Sequence, residues 1–139
     1  MSMSQVDKSK YYRGLLVLTR KDNIIDPRER ELMVRLGSVL DFDKRFCEAA
    51  LDDALRNEHL DEEPVIFDNQ ATAECFLRDA IRLALVDDSL DPGELAWLQS
   101  VAGANSVKTR WLEEEIRSYR DRRIFLDSAA ALEVERCLA

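Results

Sequence analysis

The sequence has 139 residues, 46% of them hydrophobic and 35% charged, with only four glycines and three prolines. That balance excludes a disordered chain, a collagen-like repeat and a disulfide scaffold, and it fits one helix-rich domain over residues 1–139. Twenty basic against twenty-eight acidic side chains leave a net charge of −8, so phosphate backbones repel the chain and nucleic acid is not an expected partner.

The start of the chain, Met1 to Lys8, carries no apolar segment, and no secretory leader is expected. A first helix is predicted near residues 5–21, where Leu15, Leu16 and Leu18 cover more than one face, as in an element at the centre of a bundle. The octet Asp22 to Glu29 opens a second helix that runs to about Leu40, with Leu32, Met33, Leu36 and Leu40 pointing inward. A third helix carries Phe46, Ala50, Leu51, Ala54 and Leu55 at three- and four-residue spacing. Pro64 then blocks helix formation in the connector Asp61 to Phe67, whose Val65, Ile66 and Phe67 are expected to tuck into the bundle.

The pattern repeats. A fourth helix near 70–86 is apolar on several faces through Phe76, Leu77, Ala80, Ile81, Ala84 and Leu85. A fifth starts at the octet Asp87 to Glu94 and continues to about Ala104, with Leu95, Trp97, Leu98 and Val101 inward. A sixth holds Trp111, Leu112, Ile116 and Tyr119, and a last helix from about Asp127 to Leu138 closes the structure. No stretch alternates as a strand does. The expected fold is an all-α, compact helical bundle of about seven helices.

The two octets share the pattern D-x-x-[IL]-D-P-x-E at an offset of 65 residues, Asp26 matching Asp91. At that offset Tyr11 pairs with Phe76, Leu16 with Ile81, Leu32 with Trp97, Leu36 with Val101 and Phe46 with Trp111. An apolar register kept on both sides of the octet marks an internal repeat, about 8–58 and 70–122. The fold is therefore expected as two pseudo-symmetric three-helix repeats plus a C-terminal helix.

Helix capping explains much of the octet. Asp26 and Asp91 are placed as N-caps, Pro27 and Pro92 at the first helical position and Glu29 and Glu94 at the third, an acidic capping box. Ile25 and Leu90, just before the caps, can staple onto the first turn. The carboxylates also suit the positive helix end.

The apolar first helix followed by Asp22…Asp26-x-x-Glu29, and again by Asp87-Asp88-Ser89-Leu90-Asp91-Pro92-Gly93-Glu94-Leu95-Ala96-Trp97-Leu98, resembles the TerB-like (tellurite resistance protein B) family. Those proteins repeat an acidic D-G-x-[IVL]-x-x-x-E turn between helices, and the resemblance covers about residues 8–120, most clearly 74–107. It implies a compact helical bundle, bacterial and cytoplasmic, serving as a tellurite- or stress-resistance accessory module. Its acidic face would bind divalent cations or partner proteins. Asn23 and Asp88 stand where the family has glycine; both residue types tolerate the left-handed backbone such a turn uses.

A metal centre in the acidic turns is the sharpest chemical reading of these residues. An EF-hand is excluded: with Glu29 at loop position twelve, positions one and three are Leu18 and Arg20, and in the second copy Leu83 and Leu85. A looser site remains open, with Asp22, Asp26 and Glu29 in one turn and Asp87, Asp88, Asp91 and Glu94 in the other as oxygen ligands for a hard divalent cation. Solvated caps on an acidic surface are the competing account, because Asp26 and Asp91 are already committed to helix amides.

Other candidates carry less. Cys47, Cys75 and Cys137 form no CxxC and lie far from the single histidine, His59, so they read as buried reduced thiols in a cytoplasmic protein rather than zinc ligands. His59 stands in a polar segment near a helix end, where a capping or solvent-facing role is the usual one. Arg110, Arg117, Arg120, Arg122 and Arg123 alternate with Glu113, Glu114, Glu115 and Asp121 as a salt-bridged face. Arg13 and Arg78 recur at equivalent positions and are expected to pair with the acidic turns. Trp97 and Trp111 fall at core spacing. No nucleophile elbow, zinc-protease motif, dinucleotide fingerprint or P-loop is present. The expectation is no enzyme, no certain cofactor, a protein partner and no direct membrane insertion. The alternative is a small carboxylate-metal enzyme or divalent-cation sensor built on the same acids.

Overall fold

The computed structural model describes residues 3–21, 25–57, 60–86, 90–122 and 132–138, and every regular element among them is an α-helix. In chain order these are α1 (Gln5–Lys21), α2 (Pro27–Val39), α3 (Lys44–Arg56), α4 (Gln70–Ala84), α5 (Pro92–Ala104), α6 (Thr109–Arg122) and α7 (Glu133–Cys137). Shifting α2 by 65 residues reproduces the limits of α5. The expected C-terminal helix is described only as α7; residues 127–131 lie outside the described set.

α1 and α4 form the centre. Tyr11, Tyr12, Leu15, Leu16, Val17 and Leu18 of α1 are buried, as are Phe76, Leu77, Ala80, Ile81, Leu83 and Ala84 of α4. Helices so apolar all round must be covered on several sides: α1 packs on α2, α3, α4 and α5, and α4 on α1, α5, α6 and α7. Gly14 lets the two central helices approach, because a Cβ there would meet the Phe76 ring at 2.6 and 2.8 Å. Phe76 meets Tyr11 edge-on at 5.2 Å between centroids and Trp97 at 6.2 Å. Such tilted aromatic pairs add about 0.5–1.5 kcal/mol each beyond the area they bury.

The helix ends show the same duplication in backbone form. After α2, Asp41 takes a left-handed φ of 70°, and after α5 Ser106 takes a φ of 59°. In the first copy Phe42 N–H donates to the Gly37 carbonyl and Asp41 N–H to Ser38; in the second Val107 donates to Ala102 and Ser106 to Gly103. Both are Schellman turns, one 65 residues after the other. Asp43 and Asn69 cap α3 and α4 by accepting from Phe46 N–H and Thr72 N–H, each at 2.8 Å.

The connector is fastened in place. Trp97 Nε1 donates to the Glu62 carbonyl at 2.9 Å, and Asn105 Nδ2 to the Val65 carbonyl at 2.8 Å. Val65 and Phe67 are buried, but Ile66 is 55% exposed: extended chain points alternate side chains to opposite sides, so only two of the three can go in. Phe46 and Leu55, expected inward, are likewise exposed, at 52% and 39%. α3 packs at the edge of the bundle through the narrow stripe Cys47, Leu51 and Ala54, and Phe46 rests on Phe42 at 5.3 Å instead.

Two further expectations are corrected. Arg13 pairs with Asp61 of the connector at 3.0 Å, not with an acidic turn, while Arg78 pairs with Glu115 and covers the Trp111 ring. Arg13 and Arg78 reach these partners because they project sideways from α1 and α4 towards the neighbouring connector and α6. Nor are all three cysteines reduced: Cys75 and Cys137 form a disulfide, and only Cys47 is a free, buried thiol. α7 folds back onto α4 and so brings together two cysteines 62 positions apart. No helix among the described residues is long and apolar enough to cross a membrane.

Candidate functional site

Of the seven acidic residues singled out in the sequence, four are described: Asp26, Glu29, Asp91 and Glu94. Asp22, Asp87 and Asp88 lie outside the described residues, as does His59. In the second turn Asp91 accepts from Glu94 N–H at 2.9 Å while Glu94 Oε1 accepts from Asp91 N–H at 3.2 Å, a complete capping box with Pro92 behind the cap. In the first turn Asp26 accepts from Arg28 N–H at 2.7 Å, and its oxygens also take the Arg28 guanidinium at 3.1 and 3.2 Å. The Arg28 side chain, then its amide, hold the Asp26 carboxyl below the usual carboxylate range.

Glu29 and Glu94, three positions into their helices, are both buried, at 5% and 2% exposure. Ile25, Leu90 and Leu95 pack against the core beside them, as the staple reading requires. Asp91→Ala removes the acceptor of Glu94 N–H and leaves the backbone half of the box, and we expect a loss of about 1 kcal/mol in denaturant unfolding with an unchanged m-value. Among the described residues, no three His, Cys, Asp or Glu side chains come together in a way that could hold a metal ion. The four described acids are thus helix-end residues first, and a cation here would draw its remaining oxygens from Asp22, Asp87 and Asp88.

The structure also shows a polar centre that sequence reasoning passed over. Asp79, 1% exposed on α4, accepts from the Tyr11 hydroxyl at 2.6 Å, from Glu133 N–H at 2.8 Å and from Val134 N–H at 3.0 Å. It joins α1, α4 and the first turn of α7, satisfying amides that a helix cannot bond internally. Burial pushes the Asp79 carboxyl up to about 6, although its three donors favour the ionised form. Burial, and then Asp79 itself, push the Tyr11 phenol well above its ordinary value.

A signal for this centre did exist. Asp79 is the one acid on the buried face Thr72, Cys75, Phe76, Asp79, Leu83 of α4. In the repeat alignment it stands opposite Gly14. Where the first unit uses a glycine to admit Phe76, the second uses a buried acid to hold α7.

Compared with models of known families, with curated proteins and with solved structures, the chain matches none of them.

Proposed function

We propose that this chain is a non-enzymatic, cytoplasmic, TerB-like accessory module of bacterial stress or tellurite resistance that works by binding a protein partner. Its recognition surface is the pair of acidic turns before α2 and α5, bridged to the partner by a divalent cation. One observation carries the reading: the same acid-rich turn occurs twice, at one offset, each in front of a helix that ends in the same Schellman turn.

Capping does not account for all of that acid. One aspartate and one glutamate complete the box at α5, and Asp87 and Asp88 are surplus to it. A net charge of −8 favours a basic partner face and fast, salt-sensitive association. The non-enzymatic part rests on Asp79 as well. Its carboxyl, with a pKa pushed up to about 6 by burial, is shielded from solvent and engaged by Tyr11 and two amides.

The test compares immobilised wild type with Asp22→Asn/Asp87→Asn, with circular dichroism confirming equal folding. We expect proteins retained by wild type in low salt to be lost both in the variant and in high salt. Retention of the same proteins at the same yield by the variant overturns the acidic turns as the recognition surface.

A further inference from the structure

We infer that Cys75 and Cys137 are a reversible thiol–disulfide pair that latches α7 over the buried Asp79–Tyr11 centre, so that reduction releases α7 and uncovers the apolar surface beneath it.

α7 spans five residues, far too few for a helix to persist in water unsupported. Its form depends on what holds it. Asp79 takes the Glu133 and Val134 amides at its start. Arg35 on α2 donates through Nε and Nη2 to Glu135 at 3.1 and 2.9 Å in its middle. Cys137 is bonded to Cys75 at its end. Leu132 and Val134, both fully buried, supply the apolar contact. Of these, the sulfur bond alone is covalent, and thiol–disulfide exchange can open it.

The two sulfurs are not equivalent. Cys75 is 1% exposed, whereas Cys137 is half-buried, so an incoming thiolate reaches the Cys137 sulfur. Attack there forms a mixed disulfide on Cys137, breaks the Cys75–Cys137 bond and expels Cys75 as a thiolate, which takes up a proton. With a dithiol reductant, the second thiol attacks the reductant sulfur of the mixed disulfide and frees Cys137, which is protonated in turn. The reductant leaves as its cyclic disulfide, so two electrons and two protons pass to the protein. A small-molecule disulfide such as oxidised glutathione runs the exchange backwards.

The structure has a place for the reduced state. The Tyr11 hydroxyl lies 3.4 Å from the Cys75 sulfur while donating to Asp79. A Cys75 thiol can therefore donate to the Tyr11 oxygen, completing a chain Cys75–Tyr11–Asp79 in place of an unpaired group. Intracellular disulfides are characteristically of this transient, redox-responsive kind. The latch itself needs no particular compartment and does not depend on the acidic turns.

The test is hydrogen–deuterium exchange on the full-length chain, oxidised with oxidised glutathione or reduced with dithiothreitol, alongside binding of an apolar dye. The reduced protein is expected to keep the far-ultraviolet signal of α1–α6. The amides of 133–137 should exchange at least tenfold faster and dye fluorescence should rise, and re-oxidation should restore both. Cys137→Ser is expected to behave as the reduced protein under both conditions; its partly exposed, terminal position makes it the milder variant, and Cys137→Ala serves as its check. Equal protection of 133–137 in the two redox states overturns the latch. So does unfolding of the whole chain on reduction, or failure of oxidised glutathione to remove two thiols.

Discussion

Asp79→Ala is expected to lower stability by about 3 kcal/mol at pH 5 and to strip hydrogen-exchange protection from α7. Three donors, the Tyr11 hydroxyl and the Glu133 and Val134 amides, lose their acceptor together. Each buried group left unpaired costs about 1–3 kcal/mol. The total stays near the lower part of that sum because α7 can undock and let water reach its amides. For a chain of this size the loss corresponds to a fall in Tm of about 10 °C.

The same residue gives stability a pH dependence of defined sign. Burial raises the folded-state pKa of Asp79 from 3.8 to about 6. Between those values the folded state keeps a proton that the unfolded chain has released. The stabilisation Asp79 provides is therefore complete below pH 3.8 and is lost as pH rises through 6. Asp79→Asn abolishes the titration while keeping the shape. The stability gap between wild type and Asp79→Asn is expected to shrink by about 3 kcal/mol from pH 4 to pH 7.5. Tyr11 remains protonated throughout, and Glu133 is the other acid facing the site. Denaturant unfolding at several pH values reads the gap directly; a constant gap would show that Asp79 is ionised in the folded protein across the whole range.

Gly14→Val is expected to cost about 3 kcal/mol, the upper end of what overpacking a core usually costs. The new Cβ alone would stand 2.6 Å from the Phe76 ring and 3.3 Å from the Trp97 indole. Phe76 is held between Tyr11, Phe67 and Trp97 and has no free direction in which to move. Gly103 supplies the contrast, because a Cβ there meets nothing within 4 Å. Near the end of α5, Gly103→Ala should raise stability by about 0.5–1 kcal/mol through helix propensity and the loss of unfolded-state freedom. Thermal unfolding of the two variants with opposite shifts would establish the α1–α4 approach as a packing constraint.

The parts of the fold that were legible in the sequence carry local signals. Asp26-Pro27 and Asp91-Pro92 mark helix starts because a capping carboxylate and a proline without an N–H suit those positions, and α2 and α5 begin where those residues stand. Central placement of α1 and α4 followed from apolar residues on more than one face. The Schellman turns were not legible, because Asp41 and Ser106, rather than glycines, take the left-handed conformation. Phe46 was misjudged because three-residue spacing identifies a stripe but not its width. The docking of α7 was hidden for a different reason: its contacts to Asp79 and Cys75 span more than fifty positions, and local pattern cannot see them. At the acidic turns, the chemistry of the residues and the capping roles of Asp26 and Asp91 could be read in advance. The burial of Glu29 and Glu94 could not, since it depends on helices packed from elsewhere in the chain.

The most direct test of the acidic turns as a cation-bridged recognition surface is thermal unfolding of the metal-stripped protein. It is run with and without millimolar Ca²⁺, Mg²⁺, Mn²⁺ or Zn²⁺, and repeated in Asp22→Asn/Asp87→Asn. A cation present at a hundred times its Kd adds about 2.7 kcal/mol, a rise of several degrees. The account predicts such a rise for one of these cations in wild type and its loss in the variant. Identical unfolding curves with and without every cation would contradict it and leave Asp26, Glu29, Asp91 and Glu94 as helix-end residues alone.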